Sequence, residues 1–217
     1  MNNSIIDILN SIENSNNPDE ILNRVIVVDN NGNSLLHYAI QNEYYKTISI
    51  MLERNINLDI QNKEGNTVLH LLIAKIIKLT KDLNYKLINY LYFMKIMVEK
   101  DVNMNIKNNF GFTSYNIIKY YLEKQDYDGN TILHMLAGNE YFFLLKFLIK
   151  RFKPKINIQN MYGDTILHIV SILYNKNNDK IEYLNIINFL LKNGAMTDIK
   201  NMINMLPENY ININLIY

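Results

Sequence analysis

The sequence predicts an all-α solenoid of about five to six helix-turn-helix repeats, joined by short β-turn loops and closed by helical caps. Three observations predict it. A pattern that is clearest in Asp126-Tyr127-Asp128-Gly129-Asn130-Thr131-Ile132-Leu133-His134-Met135-Leu136-Ala137 recurs along the chain. Its turn glycines Gly32, Gly65, Gly111, Gly129 and Gly163 are separated by 33, 46, 18 and 34 positions, and self-similarity at a period of this order is the signature of stacked repeats. Most copies lead into apolar residues at helical spacing.

Each position of the pattern has a physical task. Gly129 supplies a turn position of positive φ at little steric cost, and the Asp126 side chain is suited to bond backbone amides within the turn. Thr131 stands where a helix N-cap is needed, a role typically worth about 1 kcal/mol. His134, in the first turn of the helix, can bond back toward that Thr and toward a neighbouring loop. The same tasks fall to Gly32 and His37, to Gly65, Thr67 and His70, and to Gly163, Thr165 and His168.

Taken in order, the N-terminal stretch Ser4 to Glu13 has Ile5, Ile6, Ile8, Leu9 and Ile12 at helical spacing. Asn17-Pro18 reads as a second helix start leading through Val25. Residues 1–28 are thus expected to form a helical cap, which a solenoid needs because an end repeat has no neighbour to cover its apolar face. Repeats are expected over 29–61, 62–107, 108–125, 126–159 and 160–200, with a degenerate cap over 201–217. The second carries inserted residues around Lys78 to Lys86, and the fifth carries an insertion at Tyr174 to Asp179. The third is truncated to one helix, about Ser114 to Glu123, and loses the Leu-His pair. The last copy has Asn204 where the others have Gly, and keeps Pro207 at the helix start.

Five turn motifs, four of them with a Leu-His pair, resemble the signature of the ankyrin repeat. The chain departs from that family at the Pro slot, which holds Leu35, Val68, Ser114, Ile132 and Ile166. The resemblance implies a protein-binding module whose turn tips and first helices line a concave partner-binding surface. The inserted segments, the truncated repeat and a composition rich in Asn, Ile, Lys and Tyr are similar to ankyrin proteins of large DNA viruses, poxviruses especially, or of intracellular bacteria. That likeness implies a host-directed adaptor or inhibitor.

Composition narrows the alternatives. A net charge of +1 from 22 basic and 21 acidic residues creates no field that would gather nucleic acid. The only arginines are Arg24, Arg54 and Arg151, few for a phosphate or guanine reader. There is no Cys, hence no disulfide framework and no thiolate metal site. The N-terminus lacks the features of a signal peptide. The best apolar run, Tyr141 to Ile149, is broken by Lys146, so a soluble, cytoplasmic and monomeric protein without membrane partner is expected.

Catalytic, cofactor and metal sites are not expected. His37, His70, His134 and His168 are the only histidines, and all four fall in one repeat slot, about one repeat apart and too far for shared coordination. Asp126 to Asn130 looks like a calcium loop at first sight, but Thr131 and Ala137 stand where an EF-hand needs Gly and Glu. No phosphate loop, nucleophile elbow or zinc-protease helix occurs. The Lys-rich segment Lys75 to Lys86 reads as a solvated helix face; its alternative is a regulatory surface for a membrane or an enzyme partner.

The candidate partner-binding residues are at the turn tips. The early tips are polar, Asn30, Asn31, Lys63 and Glu64, whereas later ones hold Phe110, Phe112, Tyr127, Met161 and Tyr162. Clustered aromatic and Met side chains on a surface are typical of binding hot spots. A second reading of Phe110 and Phe112 has them folded inward to fill the gap left by the truncated repeat.

Overall fold

The computed structural model describes residues 2–18, 28–79, 85–177 and 180–211. The second helix expected of the N-terminal cap, residues 80–84 and 178–179 of the insertions, and the end of the C-terminal cap lie outside the described residues. Among the described residues the structure is helical, with two isolated antiparallel bridges, Val28 with Ser34 and Lys107 with Thr113, that pinch off two of the turns. No described helix is long and apolar enough to cross a membrane.

The helices are α1 (Asn2–Asn14), α2 (Leu35–Gln41), α3 (Tyr45–Glu53), α4 (Val68–Leu79), α5 (Tyr85–Glu99), α6 (Ser114–Leu122), α7 (Ile132–Gly138), α8 (Phe142–Phe152), α9 (Ile166–Lys176) and α10 (Lys180–Lys192), followed by a short 3-10 helix η1 (Pro207–Tyr210). They gather into two compact units, Met1–Ile118 and Lys119–Tyr217. The division falls inside α6, the single helix of the shortened repeat.

In the first unit α2 stacks on α4 and α3 on α5, and α1 packs against both α2 and α3. Ile5, Leu9 and Ile12 of α1 are buried. In the second unit α7 stacks on α9 and α8 on α10, while η1 packs on α9. First helices thus stack on first helices and second on second within each unit. The core is the aliphatic stripe this produces: Leu36, Ile40, Leu69, Leu72 and Ile73 in the first unit, Leu133, Leu136, Leu145, Leu148 and Leu167 in the second. The residues that replace the family's Pro, including Leu35, Val68, Ile132 and Ile166, are all buried. They contribute apolar area at the first helical position in place of a preset backbone angle.

The two units follow one plan. Each opens with a repeat whose first helix is seven residues, α2 or α7. Each continues with a repeat whose first helix is longer, 12 residues in α4 and 11 in α9. The described residues of the expected insertions are mostly helical: α4 runs to Leu79, α5 begins at Tyr85, α9 runs to Lys176 and α10 begins at Lys180. Apolar periodicity carries along the lengthened parts of α4 and α9, where Ile76 and Tyr174 are buried. The Lys75 to Lys86 segment is accordingly not one solvated helix, because Lys75 belongs to α4 and Lys86 to α5, and these two helices pack on each other.

Candidate functional site

Six turns carry the candidate residues, and one set of interactions builds them all. The first residue of each turn is Asp or Asn, and its Oδ1 accepts the backbone N–H groups two and four residues on. Asp29 takes Asn31 and Asn33 at 2.9 and 2.7 Å. Asn108 takes Phe110 and Phe112 at 3.1 Å. Asp126 takes Asp128 and Asn130 at 3.0 and 2.7 Å, and Asn160 takes Tyr162 and Asp164 at 3.0 Å. The Asp126 carboxylate is thus occupied by its own turn, and no cluster of metal-ligating side chains occurs among the described residues.

The fourth position has positive φ throughout: +75° at Gly32, Gly65 and Gly163, +80° at Gly111 and +74° at Gly129. Asn204 fills the same position in the last turn with φ 60°, one of the few non-glycine residues that tolerates the left-handed region. Its turn closes in the same way, Asn204 N–H to Asn201 O at 2.9 Å and Ile203 and Met205 N–H to Asn201 Oδ1.

Neighbouring turns within a unit are joined in three ways. Main chain meets main chain: Lys63 N–H donates to Asn31 O at 2.8 Å, Asn109 N–H to Glu64 O at 3.0 Å, Met161 N–H to Asp128 O at 2.8 Å and Met202 N–H to Tyr162 O at 2.9 Å. The first-position asparagines reach back with the other half of the carboxamide. Asn62 Nδ2 donates to Asn33 Oδ1, Asn108 Nδ2 to Asn66 Oδ1, Asn160 Nδ2 to Asn130 Oδ1 and Asn201 Nδ2 to Asp164 Oδ1, at 2.8 to 3.0 Å. The two turns that begin with Asp, a side chain with no donor, are the first turn of each unit. Third, Gln61, Gln125 and Gln159 each donate to the glycine carbonyl of their own turn and to a carbonyl before the next.

The histidines complete the joint. Ser34, Thr67, Thr131 and Thr165 donate their N–H to Nδ1 of His37, His70, His134 and His168 at 3.1 to 3.2 Å. With Nδ1 accepting, Nε2 carries the hydrogen and donates to the next turn: His37 to Asn66 O, His70 to Phe112 O, His134 to Asp164 O and His168 to Met205 O, at 3.1 to 3.2 Å. Burial pushes all four imidazoles below the usual histidine range, and a second proton on Nδ1 would face the capping N–H donor. All four are therefore neutral structural links, with both ring nitrogens occupied. In the truncated repeat Asn116 stands in this slot and its N–H is capped by Thr113 Oγ1 at 3.2 Å.

The basic candidates are also engaged. Glu43, at φ 65° in the turn after α2, pairs with Lys86 at 2.7 Å and with Lys75 at 3.6 Å. The hydrogen bond from Lys86 holds its carboxyl below the usual range against the opposing effect of burial, and Lys75 adds to it. Lys75 further donates to Gln41 O at 2.8 Å. These lysines tie α4 and α5 to the preceding turn; Lys81, between them, lies outside the described residues.

The tips themselves are exposed. In the first unit Phe110 is 76% exposed and Phe112 is exposed as well, so neither fills the space of the truncated repeat. In the second unit Tyr127 is 99% exposed, and Met161 and Tyr162 are exposed on the turn joined to its own. Sequence reasoning missed Met202 and Ile203, 75% and 71% exposed on the next turn of the same row. The last copy, with Asn204 in the place of Gly, reads from sequence as a degenerate cap, so its tip is passed over; the signal that could have marked it as a full turn is Asn201, spaced from Asn204 as Asn160 is from Gly163.

A family model described as ankyrin repeat matches residues 31–63. Among solved structures, the chain is similar to the ankyrin repeat protein EF0377, at 19% identity over 97% of this chain and 90% of that one with a TM-score of 0.42. An ankyrin repeat domain from Acinetobacter baumannii is similar at 20% identity over 81% and 88% with a TM-score of 0.41. The ankyrin repeat domain of Bcl-3, of the IkappaB protein family, is similar at 14% identity over 94% and 92% with a TM-score of 0.39. No protein of curated function matches the sequence.

Proposed function

We propose that the chain, whose residues 31–63 match an ankyrin repeat and whose turn, cap and histidine geometry recurs in later copies, is an ankyrin-repeat protein that works as a non-enzymatic protein–protein interaction module. Its partner is a protein that docks on the turn tips, and the chain serves as an adaptor or inhibitor. The observation that carries this reading is the exposure of large apolar side chains at positions the turns leave free. Phe110 and Phe112 form one such patch in the first unit; Tyr127, Met161 and Tyr162 form another in the second. Folding gains nothing from an exposed tyrosine at a turn tip, whereas a partner that covers it gains the burial and the directional contacts of an aromatic ring. The Asn-, Ile-, Lys- and Tyr-rich composition and the lengthened first helices support the host-directed form of this role.

The four histidines, from which catalysis would first be assembled, are occupied in joining turns, each through Nδ1 to its own cap and Nε2 to the next turn. Affinity capture from host-cell lysate tests the reading. The native chain should retain a partner that Tyr127→Ala/Tyr162→Ala loses while keeping its thermal midpoint. Full capture by that folded double variant would remove Tyr127 and Tyr162 from the site.

A further inference from the structure

The six turns share one backbone, so their second and third residues can be compared slot for slot. In the first unit these are Asn30-Asn31, Lys63-Glu64 and Asn109-Phe110; in the second they are Tyr127-Asp128, Met161-Tyr162 and Met202-Ile203. Both sets face the same demands: a side-chain bond from the first residue, a positive φ at the fourth and a main-chain bond to the adjoining turn. The fold therefore does not choose between them. Yet the second unit places aromatic, Met or Ile side chains in five of its six slots, and the first unit in one of six. The five emerge from a continuous strip of backbone, because the Met161 N–H bonds Asp128 O and the Met202 N–H bonds Tyr162 O.

Charge divides the same way. The turns at 126–130, 160–164 and 201–205 hold Asp126, Asp128 and Asp164 and no Lys or Arg, whereas those at 29–33, 62–66 and 108–112 hold Asp29, Glu64 and Lys63. The nearest cations along the chain, Lys124 and Lys200, lie outside the turns, and Lys124 sits over the Tyr121 ring at 5.2 Å.

We propose that the turn row of the second unit, Tyr127, Met161, Tyr162, Met202 and Ile203, docks a segment of a partner protein that is both apolar and basic. Its aliphatic or aromatic side chains cover Met161, Met202 and Ile203, and its Lys or Arg stands over Tyr127. The proposal rests on the protein-binding reading above and assigns the partner's chemistry. Tyr127 is 99% exposed and lies between Asp126 and Asp128, both exposed, so a cation on its ring face gains the π interaction and a carboxylate together. An uncharged apolar segment would cover Asp128 without pairing it, and desolvating an unpaired carboxylate is costly. An acidic segment would meet carboxylates with no counter-charge in the row. A second copy of this chain would set the same carboxylates against each other, which disfavours a dimer through this row.

Selection of the full chain against a random dodecapeptide library, followed by titration of the recovered peptides, tests the proposal. The recovered peptides should combine aliphatic or aromatic residues with Lys or Arg, and their binding should weaken with added salt. It should fall on the order of tenfold in Tyr127→Ser, in Met202→Ser/Ile203→Ser and in Asp128→Lys, and stay unchanged in Phe110→Ser. If the Met202→Ser/Ile203→Ser variant loses thermal stability, the Tyr127→Ser and Asp128→Lys arms decide. Recovered peptides that are acidic or lack basic residues would overturn the proposal. Binding that survives the row variants and falls with Phe110→Ser would overturn it while leaving the protein-binding reading intact, and failure to recover any peptide would count against both.

Discussion

The turns of the first unit and those of the second are built on one backbone and carry different surfaces. Asn30, Asn31, Lys63 and Glu64 present amides and charges; Tyr127, Met161, Tyr162, Met202 and Ile203 present rings, thioethers and a β-branched chain. The joints beneath them are the same, from the Asx bonds and positive φ to the histidine wire. Residues shared by both units answer to folding, and residues that differ are free for another purpose. The chain thus contains its own control for separating structural from functional positions.

The largest stability losses should come from the shared joints, equally in both units. A Cβ at Gly163 would lie 2.7 Å from Met202 N, and one at Gly65 would lie 2.7 Å from Asn109 N, on top of the cost of a left-handed backbone. Gly163→Ala and Gly65→Ala should each cost about 3 kcal/mol in chemical denaturation. Gly111 has the same φ but nothing within 4 Å of its Cβ position, so Gly111→Ala should cost only the conformational part, about 1 kcal/mol. Equal costs at Gly65 and Gly111 would show that the contact with the adjoining turn contributes nothing.

Next come the histidines. His168→Ala removes a buried ring and leaves the Thr165 N–H and the Met205 carbonyl without their partner, at about 2 kcal/mol. The same wires set the pH response. Burial lowers each folded imidazole below the ordinary 6.5, so the unfolded chain takes up protons first as the solution is acidified. Stability should be complete above pH 6.5 and decline as pH falls through that value toward the lowered folded range. Thermal melts at stepped pH check this, and a midpoint that rises on acidification would contradict the neutral tautomer assigned to the wires.

A smaller and asymmetric effect is expected at the first turn residue. Asn160→Asp loses the Nδ2 donor to Asn130 Oδ1 and places a charge beside it, costing about 1 kcal/mol. Asp126→Asn keeps an acceptor for both turn amides and should stay within about 0.5 kcal/mol of the parent. Denaturation of the two variants side by side measures the difference, and equal costs would deny that Asn links turns where Asp opens a row.

Much of this was legible from residue types at fixed spacing, because turns and caps are local chemistry. Gly129, Thr131 and His134 state their roles through their own side chains or lack of one, and the distance from Gly111 to Gly129 leaves space for one helix only. What was not legible depended on packing or on substitutions that preserve geometry. The Lys75 to Lys86 segment looked like one basic helix face, since sequence does not show Glu43 arriving from the preceding turn to pair with both lysines. The turn at 201–204 looked degenerate because Asn204 replaces Gly while adopting the same left-handed backbone. That substitution hid Met202 and Ile203. The alternation of Asp and Asn at the first turn position was visible in the sequence, but its meaning needed the carboxamide bonds between turns.

The most direct test exchanges one surface for the other. A variant carrying Tyr127→Asn, Met161→Lys, Tyr162→Glu, Met202→Asn and Ile203→Ser gives the second unit tips of the kind found in the first. Its thermal midpoint and its capture of the protein partner retained by the native chain are then measured together. The account predicts an unchanged midpoint and loss of capture. A lowered midpoint would assign the apolar row to folding, and undiminished capture by the folded variant would place the binding surface elsewhere.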